Sequence, residues 1–142
     1  MATYKPKFAQ TSKTAYAQTT AANTTITGGS IDDTATLFTL TASGSSGEGA
    51  RVTKISCVPT ETVTAGVAYL YLSKDAGTTY RLIDAAAVAA DTVSTTDAPT
   101  RVSFSIASAS DPLVLEASDR LAVGFSLAKV IDWFCQYENF AS

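Results

Sequence analysis

The sequence predicts an all-β domain, an antiparallel β-sandwich of jelly-roll type with about eight strands and an extended N-terminal arm. Short runs of β-branched and aromatic residues recur at spacings of roughly 10–15 residues, each closed by a turn signal. No segment carries the 3.6-residue apolar period of a long amphipathic helix. The 142 residues suffice for one domain with a core and are too few for two comfortable ones.

The chain divides into an arm, residues 1–26, and a β-sandwich domain, residues 27–142. The arm, MATYKPKFAQTSKTAYAQTTAANTTI, is Thr-, Ala- and Gln-rich with isolated aromatics and no sustained period of either kind, so it reads as extended or disordered. GGS at 28–30 opens the body. TATLFTL (Thr34–Leu40) is the first body strand, and SGSSGEG is the loop after it. ARVTKISCV (Ala50–Val58) stops at Pro59. VAYLYLS (Val67–Ser73) alternates tyrosines with Ala68, Leu70 and Leu72, the pattern of a half-buried strand. YRLIDAAAVAA (Tyr80–Ala90) has helical propensity in its alanines, but the DTVSTTDAP after it continues no helix, so strand or irregular structure is preferred. RVSFSI (Arg101–Ile106) puts Val102, Phe104 and Ile106 on one face. PLVLEASDRLAVGFSL holds two strands around a turn at Glu116–Asp119. VIDWFCQYENF (Val130–Phe140) closes the body, with Ile131, Trp133 and Phe134 as core candidates.

Composition narrows the function. The net charge of −3 argues against a general nucleic-acid binder, and no apolar run approaches the ~18–20 residues that span a bilayer. The first residues lack the apolar stretch of a secretory signal, so Cys57 and Cys135, each within an apolar run, are expected as buried reduced thiols. Lys5, Lys7 and Lys13 all precede the first acidic residue, Asp32. A basic arm on an acidic body suggests docking on an acidic partner, with Tyr4, Lys5, Lys7, Phe8, Lys13 and Tyr16 as the partner-binding residues.

Chemistry is sparse. The chain has no histidine, which removes triad nucleophiles, histidine metal sites and the commonest general base. Neither a CxxC pair nor a phosphate-binding glycine loop occurs. Asp32–Asp33 and Glu116–Asp119 are carboxylate pairs, but nothing in the sequence converges them across a cleft. No cofactor, no metal and no enzymatic activity are expected. In SKDAGTTY, one acid beside a lysine falls short of a calcium loop, whereas Asp75 and Gly77 supply what a hairpin turn needs. Tyr69, Tyr71 and Tyr80 share a sheet face, read as packing surface in preference to a sugar platform.

SKDAGTTYRLID, DPLVLEASDRLAVGF and the closing aromatic strand together resemble small virion structural proteins of tailed bacteriophages, the capsid decoration and head-fibre-like group. The likeness runs from about Thr34 to Phe140, with Glu116-Ala-Ser-Asp119 in place of a glycine-containing turn. It implies a non-enzymatic capsid decoration protein on the exterior of the virion, assembled in the host cytoplasm. Its partners would be the major capsid protein or other virion proteins and copies of itself, a trimer above all. The alternative is a tail or fibre component acting as a receptor- or carbohydrate-binding module through loops such as Ser73–Tyr80.

Overall fold

The computed structural model describes residues 8–26, 35–39 and 49–141, with nine strands and no helix among them. The strands are β1 (Phe8–Thr19), β2 (Ala35–Thr39), β3 (Ala50–Pro59), β4 (Gly66–Ser73), β5 (Arg81–Val88), β6 (Val102–Ser103), β7 (Leu113–Leu115), β8 (Arg120–Phe125) and β9 (Ile131–Ala141). They form two antiparallel sheets. The first runs β1-β9-β3-β6 with β7 also on β3, and the second runs β2-β8-β4-β5. The expected eight runs all carry strand, although Arg101–Ile106 contracts to Val102–Ser103.

The ninth strand is β1, which lies within the segment read as an arm. It pairs with β9 from Phe8↔Ala141 to Thr19↔Ile131, with one irregularity between Ala9 and Thr11. Its sequence has no apolar alternation because an edge strand needs only a little burial. Ala15 and Ala17 pack on the core and Thr19 is buried, while Thr14, Tyr16 and Gln18 face solvent. The ladder to β9, rather than side-chain hydrophobicity, holds it.

The core lies between the sheets. Val52, Ile55, Cys57, Leu115, Ile131, Trp133 and Cys135 enter from the first sheet, and Ala68, Leu70, Leu121, Val123 and Phe125 from the second. Phe104 stacks on Trp133 with ring centres 6.1 Å apart and planes 8° from parallel. Phe134, a core candidate in the sequence, turns to the opposite face, since successive strand residues point to opposite sides. Both thiols are free and buried on the inner face.

β4 is buried on both faces, not one. Tyr69, Tyr71 and Ala122 form a second small cluster on the outer side of the second sheet, with Val67 and Tyr80 against it. The chain leaving β1 crosses over this face. The Asn23 amide N–H donates to the Phe125 carbonyl at 2.7 Å, and Asn23 Nδ2 donates to the Tyr71 hydroxyl at 2.6 Å. That hydroxyl donates in turn to the Thr25 carbonyl at 3.1 Å. Residues after β1 thus clasp one sheet while β1 belongs to the other.

Candidate functional site

Of the six partner-binding candidates, Tyr4, Lys5 and Lys7 lie outside the described residues, and Phe8 opens β1. Lys13 and Tyr16 are brought onto the same edge strand, both exposed, and Tyr16 is 88% accessible. The register aligns Tyr16 with Phe134, Phe134 with Ser56, and Ser56 with Ser103, a row across the outer face of the first sheet. The next row aligns Thr14, Gln136 and Lys54. Arg101 sits over this face, its Nη1 donating to Ser56 Oγ at 2.6 Å. On the same face Gln18 Nε2 donates to Asp132 at 2.8 Å, and Arg51 pairs with Glu138. Exposed Tyr16 and half-buried Phe134 therefore lie side by side on this face, with half-buried Lys54 and exposed Arg101 nearby. Sequence reasoning missed Phe134, Lys54 and Arg101; for Phe134 the signal was present, because Trp133 beside it had already claimed the inward face.

The second region joins the two hairpins singled out in the sequence. Asp75 Oδ1 accepts from the Thr79 N–H at 2.8 Å and from Ser73 Oγ at 2.7 Å, which holds that carboxyl below the usual aspartate range. Gly77 takes φ +94° and donates its N–H to Ser73 Oγ at 2.8 Å. Asp119 closes its own turn by accepting from the Glu116 N–H at 2.9 Å through Oδ2. The two turns dock: the Ala76 N–H donates to the Ser118 carbonyl at 3.2 Å. Lys74 Nζ bridges buried Asp119 at 3.0 Å and Glu116 at 3.2 Å, contacts that raise its pKa, Asp119 foremost. These side chains fix the loops, as hairpin chemistry requires.

Beside this joint runs a groove of about 450 Å³ lined by Leu72, Lys74, Asp75, Thr79, Arg81 and Ile83. A smaller hollow of about 310 Å³ lies over Ser12, Lys13, Thr14, Thr53, Gln136, Tyr137 and Glu138. Burial pushes both thiols up to about 12, Cys57 despite the opposing pull of Arg101. Among the described residues no three His, Cys, Asp or Glu side chains gather to hold a metal ion, and no helix is long and apolar enough to cross a membrane. Asp32 and Asp33 fall outside the described residues. The chain matches no protein-family model, no curated protein and no solved structure.

Proposed function

We propose that this chain is a non-enzymatic structural protein of a tailed-phage particle, a decoration protein that attaches to the outside of the major capsid shell and assembles with copies of itself. The observation that carries the reading is the placement of Lys13 and of Tyr16, 88% accessible, on an edge strand whose start is preceded directly by Tyr4, Lys5 and Lys7. A basic, aromatic leader that runs into a fixed strand suits an anchor: the strand holds the root and the leader reaches a partner. Exposed Tyr16 beside half-buried Phe134, with Lys54 and Arg101 nearby, adds a surface for a second contact.

The strand order supports a jelly roll as the form of the sandwich. β1-β9-β3-β6 facing β2-β8-β4-β5 is the order that two wrapped Greek keys produce, an arrangement that viral shell domains use. Asp75 and Asp119 hold the two hairpin loops in fixed shape, so the body is a rigid platform for contact.

The test is attachment to particles lacking the protein. A chain without residues 2–7 keeps β1 whole and should bind at well under a tenth of full occupancy. Tyr16→Ser, at an exposed position, should weaken binding severalfold. Full occupancy by both variants would sink the anchor.

A further inference from the structure

The groove beside the β4–β5 hairpin is a second feature, separate from the anchor strand. Leu72 and Ile83 give it apolar wall, and Lys74, Asp75, Thr79 and Arg81 give it polar groups. Leu72 and Arg81 are cross-strand partners, so their side chains share one face of the sheet at the end of the hairpin. Two of the polar groups, Asp75 and Lys74, are held in place before any ligand arrives. Asp75 is locked by Ser73 Oγ and the Thr79 N–H on Oδ1 and also by the Thr79 hydroxyl, and its carboxylate keeps further lone pairs to accept from a ligand. Lys74 is tied to Asp119 and Glu116. Arg81 is exposed and makes no ion pair among the described residues.

That set divides by chemistry. A free guanidinium recognises a carboxylate with two parallel hydrogen bonds. A fixed carboxylate oxygen and a threonine hydroxyl suit the hydroxyl groups of a sugar ring, and an apolar wall suits its C–H face. A concave, largely apolar site with a few preplaced polar groups is the ordinary form of a small-ligand pocket, and the volume accommodates a single sugar ring with its substituents. A simple fatty acid would leave Asp75 facing apolar chain, and a neutral sugar would leave Arg81 unmatched. We propose that this groove binds a saccharide that carries a carboxylate, its acid group on Arg81 and its ring hydroxyls on Asp75 and Thr79.

The experiment titrates the isotope-labelled full chain with N-acetylneuraminate, galacturonate, methyl glucoside and acetate, and follows backbone amide shifts. The expected result is saturable shifts confined to residues 72–83 with one of the carboxylated sugars. Binding should be at least tenfold weaker for methyl glucoside and for acetate. Arg81→Ala and Thr79→Val should each weaken it about tenfold with an unchanged amide spectrum elsewhere. Lys13→Ala and Tyr16→Ser, on the anchor strand, should leave it unchanged, so that failure here is separable from failure of shell attachment. No shift with either carboxylated sugar overturns the proposal, as does equal binding of acetate, or full binding by Arg81→Ala.

Discussion

Trp133 shows how one side chain ties the edge strand to the core. Its indole is buried at 1% accessibility and its Nε1–H donates to Thr19 Oγ1 at 3.0 Å. Thr19→Val keeps the shape and removes the acceptor, so a buried donor is stranded at a cost of about 1–3 kcal/mol. Thr19→Ser should recover most of the loss, because it restores the oxygen. Urea unfolding of the three chains, compared by midpoint at constant m, checks this. The thiols make a second residue-scale prediction. Cys57 and Cys135 ionise near 12 in the folded chain, whereas an unfolded thiol ionises at about 8.5. Their raised values mean that stability is intact below the unfolded value and falls as pH climbs from there toward 12. At about pH 8.5, iodoacetamide should label both cysteines in denaturant and neither at a comparable rate in the folded chain; fast native labelling would contradict the burial. Both thiols were legible in the sequence because apolar neighbours flank them. The direction of Arg101 was not: its target, Ser56, is 45 residues away, and only the β3–β6 pairing brings the two together.

At the scale of elements, the joint between the β4–β5 hairpin and the β7–β8 turn depends on charge at both ends of the pH range. Asp75 has its folded pKa below the ordinary 3.8, first through the Thr79 N–H and then through Ser73. A depressed acid adds stability that is present above the unfolded value and disappears as pH falls through the folded one. Asp75→Ala should therefore lower the thermal midpoint at neutral pH, and the difference from the native chain should shrink below pH 3.8. Lys74 is the converse case, raised above the ordinary 10.5 by Asp119 and then Glu116. Its share is whole below 10.5 and is lost as pH rises past that value through the folded one, so Lys74→Met should differ most from the native chain below pH 10.5. Differential scanning calorimetry across pH separates the two limbs, and a pH-independent difference for Asp75→Ala would refute its role as an ionised acceptor. The turn chemistry was readable in advance, since Asp and Gly at those positions act within a few residues of themselves. The docking of one turn on the other was not readable, because the Ala76–Ser118 and Lys74–Asp119 contacts join loops more than 40 residues apart. Equally hidden was β1, whose Thr/Ala/Gln text gains its strand character from the partner β9 and not from its own period.

For the whole molecule, the decisive point is where the anchor ends and the fold begins. Residues 8–26 touch both sheets: β1 completes the first, and Asn23 and Thr25 hold Tyr71 on the outer side of the second. A truncation that stops at residue 7 leaves every one of these contacts in place. One that reaches residue 26 removes the β1 ladder, uncovers the core flank of Ala15 and Ala17, and strands the Trp133 indole and the Tyr71 hydroxyl together. The short truncation should unfold within about 2 °C of the full chain, because the β1 ladder and the Asn23 and Thr25 contacts all remain. The long one should lose its cooperative transition or unfold many degrees lower, and it should bind a dye for exposed apolar surface. A synthetic peptide of residues 1–26, added in excess, should restore the transition by re-entering as an edge strand on β9, with a midpoint that rises with peptide concentration. A peptide carrying Thr19→Val and Asn23→Ala should restore it less well, because both buried partners are then missing. If the long truncation unfolds like the full chain, residues 8–26 are an appendage and not a part of the sandwich. In that case loss of shell attachment on truncation would report the anchor alone; otherwise only the short truncation can separate attachment from folding.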